Sequence, residues 1–143
     1  MANHLSFSFG DAVFSGDHIM DWASSLVSPP DGDLTSFMAS TEKLAARGDR
    51  VFYPGHGQPV ADPRARTAWL IDHRRNREAA ILTALLDGPA SVAALTAHIY
   101  TDVDPKLIGA AQRNVFAHLI DLIHHSRVSA SPALTFSANF SIL

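Results

Sequence analysis

Two polar residues stand where short apolar runs of the chain stop abruptly. Asp17 lies in the segment FSGDHI at positions 14–19, and His56 lies in the segment YPGHG at positions 53–57. Both follow predicted strands, and loops at strand ends commonly carry functional groups. A carboxylate and an imidazole are typical ligands of a divalent metal ion. Taken singly, each has a plainer interpretation, because Asp after Gly is often a turn residue and a lone His is often structural.

Cysteine usage narrows the chemistry. The 143 residues contain no Cys, which excludes disulfide frameworks, thiolate nucleophiles and cysteine-ligated zinc. Any metal must therefore be bound by His, Asp or Glu. Of the eight histidines, His4 and His18 lie nearest to Asp17 along the chain.

The elements that must position the two site residues are predicted from periodicity. Residues 5–9 alternate apolar and serine side chains, which predicts a strand with one buried face, followed by a turn and a second strand over 12–15. Apolar residues at helical spacing predict a helix over 34–47. A short apolar run over 51–53 predicts the strand that leads to His56.

The rest of the chain is predicted to be mostly helical. A long helix over 63–86 begins at a proline suited to a first helical turn and stops at Gly88-Pro89. Ser91 is suited to cap a further helix, and residues 110–125 carry apolar side chains on one helical face. Residues 127–143 predict a two-stranded ribbon. Short helices followed by a ribbon are the order of a winged helix.

The Asp17 and His56 motifs, with a helix between them, resemble the later metal-binding motifs of the metallo-beta-lactamase superfamily. Residues 100–102 and 111–119 resemble the tail of one subgroup, which has a winged-helix-like C-terminal domain and is similar to the mitochondrial beta-lactamase-like endoribonuclease and its bacterial relatives. The similar segments cover almost the whole chain. We therefore identify the chain as resembling the C-terminal portion of such a protein.

This resemblance implies a mixed fold of the α/β (α+β) class. The C-terminal half of an αββα sandwich is expected first, followed by a small winged-helix-like helical module. The expected domains are a partial metallo-beta-lactamase domain over residues 1–62, a bridging helix over 63–88 and the winged-helix-like domain over 89–143.

The resemblance also implies a metal site. In the superfamily a strand-end Asp bridges two zinc ions and the His of Pro-Gly-His-Gly binds the second ion, so Asp17 is expected to bridge and His56 to ligate through one ring nitrogen. Intact relatives hydrolyse ester, thioester or phosphodiester bonds through a metal-bound hydroxide.

The chain departs from the superfamily pattern at its other ligands. The His-x-His-x-Asp-His motif is absent, as is the Gly-His-Thr histidine expected just before Ala2. Zinc is therefore expected to bind weakly or not at all, and the truncated chain is expected to be inactive alone. His4 and His18 are the candidates to support the ligands or to replace missing ones.

A truncated sandwich should expose apolar faces that other strands normally cover. Such faces and unpaired strand edges favour association, so we expect self-association or binding to a complementary N-terminal half. The residues expected at these faces are Leu5, Phe7, Phe9, Val13 and Val51.

Five arginines cluster on the predicted long helix and could contact phosphates, as a nuclease requires. The acids between them favour a solvated face instead, in which the arginines pair with Asp62, Asp72 and Glu78. From residue 79 onward, three basic residues stand against four Asp, too few to neutralise several phosphates. Direct nucleic-acid binding is therefore the last-ranked hypothesis. The arginines are Arg64, Arg66, Arg74, Arg75 and Arg77.

The composition limits the class of protein but does not identify a substrate. Nearly half of the residues, 47%, are hydrophobic, and the formal charge is −3, so a globular chain is expected. No apolar run reaches the roughly 18 residues needed to span a bilayer, and the start lacks a signal-peptide pattern. A cytoplasmic protein without membrane contact is therefore expected.

Two functions remain open from the sequence. One is a truncated zinc-dependent hydrolase, and the other is a non-catalytic interaction module, or half of a split enzyme, that acts through its winged-helix-like part. Whether the substrate of the intact parent is a small molecule or a nucleic acid does not follow from the sequence, because fold does not settle function.

Overall fold

The computed structural model describes residues 4–143, which form two compact units. The first unit takes in the chain up to Ser25 together with Thr35–Arg74. The second takes in Leu26–Leu34 and Arg75–Leu143. The boundary in the later part of the chain therefore falls inside the long helix that was predicted as a bridge.

Strands β1 (Phe7–Phe9), β2 (Ala12–Gly16) and β3 (Val51–Pro54) form the sheet of the first unit, in the order β1-β2-β3. The predicted hairpin is confirmed, since β1 and β2 pair antiparallel. β2 and β3 pair in parallel. Parallel neighbours need a crossover connection, which here includes helix α1 (Leu34–Ala45).

One face of this sheet is buried and the other is open. Val13 and Phe52 pack with Ile19, Val60 and Leu70 in a small apolar core. The opposite face carries exposed large apolar side chains, and the rings of two of them stack at a centroid distance of 5.5 Å. These exposed side chains are Phe7, Phe9, Phe14 and Tyr53.

The expected exposure of truncated faces is therefore only partly right. Leu5, Phe7 and Phe9 are exposed, and Phe9 retains 82% of its accessible surface. Val13 and Val51 are buried, contrary to expectation. Val13 is buried because it lies on the opposite face from Phe14, its neighbour along β2, and so points into the core of the unit. The prediction that β1 has one buried face is also wrong, because all three β1 residues are exposed.

Helix α2 (Pro63–Leu85) begins and ends where the sequence predicts. Asp62 stabilises its start by accepting a hydrogen bond from the Ala65 amide at 2.9 Å. Gly88, just beyond its end, has a φ of +128°, which favours glycine.

The second unit contains three further helical segments and a second sheet. Helix α3 (Val92–Ile99) is capped by Ser91, whose hydroxyl accepts from the Ala94 amide as predicted. Its other segments are a 3-10 turn (Pro105–Leu107) and helix α4 (Ile108–His124).

The predicted C-terminal ribbon is confirmed and gains a third strand. β5 (Val128–Ser131) and β6 (Asn139–Ile142) pair antiparallel, and the two-residue β4 (Ala90–Ser91) joins on the other side of β6. The sequence did not predict β4, because two residues carry no periodic signal.

A continuous apolar core fills the second unit. Side chains from α2, α3, α4 and the ribbon meet there, with Phe140 and Leu119 fully buried. The segment Leu26–Leu34 belongs to this unit, where the Val27 amide donates to Asn114 Oδ1 at 3.1 Å. Among the described residues, no helix is both long and apolar enough to cross a bilayer.

Candidate metal centre

The parallel pairing of β2 and β3 brings Asp17 and His56 together. Gly16 lies opposite Pro54 in the register, so both strands end at the same edge of the sheet. The residues that follow the two strand ends place Asp17 Oδ1 at 2.7 Å from His56 Nδ1. Two residues far apart in the chain thus form one hydrogen-bonded pair.

Two glycines make room for this arrangement. A Cβ at Gly55 would lie 2.8 Å from Asp17 Oδ1. Gly57 has a φ of +94°, and a Cβ there would collide with the Asp21 carboxylate and the Trp22 indole. Glycine is therefore favoured at position 57 by backbone conformation and by space, and at position 55 by space alone.

A chain of hydrogen bonds holds the backbone at Asp17. The Ser25 hydroxyl donates to the carbonyl of Asp17 at 2.8 Å and lies 3.0 Å from the carbonyl of His18. The buried Arg74 guanidinium in turn donates to the carbonyls of Ser24 and Ser25. Helix α2 therefore fixes the turn that carries the carboxylate.

His18 is held by helix α1 next to the candidate ligand. Its Nε2 lies 3.3 Å from the Thr41 hydroxyl, and its ring meets the Phe37 ring edge-on at 4.7 Å. The Thr41 hydroxyl donates to the Phe37 carbonyl, so it accepts from His18. Burial, assisted by repulsion from His4, lowers the pKa of His18 to about 4. His18 is therefore neutral at physiological pH.

His4 lies on the same side of the strand end. Its Nε2 is 3.0 Å from the Ser15 carbonyl, and its ring lies where a Cβ at Gly16 would be, 2.6 Å from the nearest ring carbon. The His4 and His18 ring centroids are 6.3 Å apart. The supporting role predicted for these two histidines stays a prediction.

The donor set of this chain does not by itself fit a resident zinc ion. Within residues 4–143 there is no group of three or more His, Asp or Glu side chains that could hold a metal, whereas a catalytic zinc has three protein ligands and a water. Asp17 Oδ1 and His56 Nδ1 are at hydrogen-bond distance, 2.7 Å, and shorter than the roughly 3.3 Å between two ligand atoms that share a tetrahedral zinc. Asp17 and His56 are residue types that bind zinc, but two ligands are too few for a catalytic zinc site.

The solvated arginine face predicted on α2 is wrong for three of its members. Arg66 donates to the carbonyls of Met20 and Ala23, at 2.6 and 2.7 Å. Arg74 is 2% exposed. Arg77 lies over the Tyr100 ring at 4.4 Å. Arg66 and Arg74 donate to loop carbonyls because these carbonyls have no strand or helix partners. Arg77 instead packs against an aromatic ring.

Glu78, which was expected to pair within the helix, instead accepts from Arg127 at 2.9 Å. The nucleic-acid hypothesis therefore loses much of the positive surface on which it depended.

Sequence reasoning missed the residues that support the site. Ser25, Thr41 and Arg74 are buried and polar, yet each is a common residue type in a loop or helix. The spacing of Arg66 and Arg74, eight residues apart on one helix, was the available signal, since it places both side chains on one face.

Comparisons with known proteins agree with this architecture. The family described as "Beta-lactamase associated winged helix domain" matches residues 91–133. A Drosophila melanogaster protein named "Beta-lactamase-like protein 2 homolog" is 28% identical over 122 residues, which is 83% of this chain and 40% of that protein. An Aspergillus fumigatus protein named "Atrochrysone carboxyl ACP thioesterase" is 32% identical over 85 residues, covering 58% of this chain and 26% of the relative.

Solved structures of metallo-beta-lactamase-type proteins also resemble this chain. A metallo-beta-lactamase family protein from Thermus thermophilus superposes with a TM-score of 0.78 at 27% identity, over 93% of this chain and 42% of that one. A beta-lactamase domain protein from Burkholderia ambifaria has a TM-score of 0.80 at 21% identity, over 92% and 41% of the two chains, and this likeness shows the fold.

The chain spans less than half the length of these relatives. A C-terminal portion fits that partial coverage. These comparisons confirm the predicted resemblance to the metallo-beta-lactamase-fold superfamily, in the subgroup with a winged-helix C-terminal domain.

Proposed function

We propose that this chain is part of a zinc-dependent hydrolase, to which it contributes the ligands Asp17 and His56, and that it is inactive alone. The observation that carries the proposal is the meeting of these side chains at 2.7 Å, at the ends of two adjacent parallel strands. Their exposed fractions, 55% for Asp17 and 73% for His56, leave room for further ligands from another polypeptide segment.

The pair has a defined division of roles before any metal binds. An ionised carboxylate only accepts hydrogen bonds, so His56 Nδ1 carries the proton that Asp17 accepts. This hydrogen bond fixes the tautomer with a lone pair on Nε2, the usual arrangement of a metal-binding histidine. Asp17 therefore orients His56 while no metal is bound, and ligation of one zinc ion by both residues would replace this hydrogen bond.

Among ester, thioester and phosphodiester bonds, we propose the thioester as the first to test. The support is the name of the two Aspergillus relatives, which describes a thioesterase. The acidic character of the second unit, in which three basic residues stand against four Asp from residue 79 onward, supports the same choice over a nucleic-acid phosphodiester.

Zinc content measured by elemental analysis tests the ligand assignment. We expect the purified chain to hold much less than one zinc per molecule, and a version extended by the in-frame sequence upstream of Met1 to hold zinc near stoichiometrically if that sequence encodes the missing ligands. The Asp17→Ala, His56→Ala double variant of the extended protein should lose zinc and thioesterase activity. His98→Ala, which changes an exposed histidine of the second unit, is the matched control.

Three results would contradict this assignment. They are stoichiometric zinc in the chain alone that survives the double substitution, hydrolysis by the chain alone, and full activity of the extended double variant. An extended protein without zinc or activity would favour the second candidate, a non-catalytic interaction module or half of a split enzyme. The support for that candidate is the closed apolar core of the second unit, which needs no metal.

We also propose that the open face of the first sheet is an association surface. Phe7, Phe9, Phe14 and Tyr53 expose contiguous apolar surface next to the unpaired edge of β1, and such surfaces favour association. The chain alone should self-associate there, and a complementary N-terminal half should compete for the same face. Light scattering over a range of concentrations tests this, and a sharp monomer at all of them would contradict it.

A further inference from the structure

Trp22 is an exposed aromatic residue next to the Asp17–His56 pair. Its side chain retains 68% of its accessible surface. The edge of the indole nevertheless has a fixed neighbour, because a Cβ built on Gly57 would lie 2.7 Å from Trp22 Cδ1 and 3.0 Å from Nε1. Gly57 follows His56 directly, and consecutive Cα atoms are about 3.8 Å apart. The indole therefore borders the candidate site.

The backbone on both sides of Trp22 is held rigidly. Arg66 donates to the carbonyl of Met20 at 2.6 Å and to that of Ala23 at 2.7 Å, so one guanidinium clamps the turn. The same guanidinium lies 4.4 Å above the Trp69 ring. The backbone that presents the indole therefore needs little ordering when a ligand binds, which favours binding.

We propose that Trp22 forms an aromatic subsite beside the Asp17–His56 pair, and that it binds a planar apolar group of the substrate, such as an aromatic acyl group. This inference rests on the proposed hydrolase function, because it assigns part of the substrate to that site. Gly57 lies against one edge of the indole, and the rest of the ring remains largely exposed. Aromatic groups stack favourably on such a ring.

Charged side chains of both signs lie near Trp22. Asp21, which precedes Trp22, places a carboxylate oxygen against Gly57. The Arg66 guanidinium is close enough to this carboxylate to be affected by it: burial lowers the pKa of Arg66, and Asp21 offsets part of that effect. The Asp21 carboxylate therefore lies near a guanidinium of opposite charge, and choline binding tests whether a cation competes for the indole.

Fluorescence of a single-tryptophan chain tests the subsite. The chain has two tryptophans, so Trp69→Phe leaves Trp22 as the only one and keeps a ring beneath Arg66. We expect S-benzoyl-N-acetylcysteamine to quench this fluorescence and to bind about three- to tenfold more tightly than S-acetyl-N-acetylcysteamine, the range of one aromatic contact. Calorimetry with Trp22→Ala should show equal affinities for both thioesters, and Trp22→Phe should keep part of the preference.

The outcomes separate this subsite from the zinc-dependent function. Equal binding of the two thioesters, a preference that survives Trp22→Ala, or stronger binding of choline than of the benzoyl thioester overturns the subsite. The benzoyl preference should persist in the Asp17→Ala, His56→Ala variant, because the indole does not need the metal ligands. If the extended protein prefers the benzoyl thioester but binds no zinc, the subsite is supported and the hydrolase proposal is contradicted.

Discussion

The two units of the chain are stabilised in different ways. The second unit has an apolar core of ten buried residues drawn from helices and ribbon, whereas the first has a core of five. The first unit instead buries more polar side chains, and most of these donate hydrogen bonds to loop or helix carbonyls. They are Ser15, Ser25, Thr41, Thr67 and Arg74.

This difference follows the location of the candidate site. Ser25 and Arg74 fix the turn that carries Asp17, and Arg66 clamps the turn that carries Trp22. Irregular turns leave carbonyls to be satisfied, and side chains must satisfy them once the turns are buried. The unit with the site therefore relies on directed hydrogen bonds, and the unit without it relies on apolar packing.

The largest expected effect contrasts two phenylalanines. Phe140→Ala empties a fully buried position in the second unit and should lower the free energy of unfolding by about 3–5 kcal/mol. Phe9→Ala, at an 82% exposed position in the first unit, should change it by less than about 0.5 kcal/mol. Urea unfolding followed by circular dichroism measures both, and equal effects would contradict the contrast between closed core and open face.

The hydrogen-bonded support of the first unit is tested at Arg74. Arg74→Ala leaves the carbonyls of Ser24 and Ser25 without this donor and should lower the free energy of unfolding by about 3 kcal/mol, since bonds from charged donors are the stronger ones. Arg64→Ala, on the exposed first turn of the same helix, is the matched control and should be close to neutral. A neutral Arg74→Ala would show that apolar packing also dominates the first unit.

The pH dependence of the first unit is tested at His18. Its pKa is lowered to about 4 in the folded state, mainly by burial, so below the unfolded value of about 6.5 the unfolded chain binds the extra proton. The stabilisation is fully present above about pH 6.5. It should be lost as the pH falls from about 6.5 towards 4, by about 3 kcal/mol.

Urea titrations at several pH values measure this loss. His18→Gln should flatten the dependence over this range, and His98→Gln, at an exposed position, should leave it unchanged. The same slope in wild type and His18→Gln would assign the pH dependence to other groups.

The smallest expected effect concerns the open sheet face. The Phe7→Ser, Phe9→Ser double variant should weaken self-association roughly tenfold, because each exposed ring loses only part of its apolar contact area. Sedimentation equilibrium measures the association constant. Leu86→Ser, which changes an exposed leucine of the second unit, should not affect it, and equal weakening by both would place the association surface elsewhere.

Local sequence signals predicted most of the elements. The hairpin, the helices α1 and α2, the Ser91 cap and the C-terminal ribbon appear where periodicity, proline, glycine and serine placed them. These features depend on neighbours within a few residues, so a single sequence contains the information. The spacing of Arg66 and Arg74 indicated a shared helix face, but β4 and the carbonyl partners of these arginines could not be predicted, because they depend on strands and loops distant in the chain.

The sequence by itself determined that a carboxylate and an imidazole each follow a strand end, and that glycines surround the imidazole. Only the tertiary structure decided that these strands are parallel neighbours, which brings Asp17 and His56 to 2.7 Å. It also decided that Ser25 and Arg74 hold the Asp17 turn and that Trp22 borders Gly57. The physical reason is that local propensities specify strands and turns, whereas strand pairing and side-chain hydrogen bonds across the fold arise only when the chain buries its core.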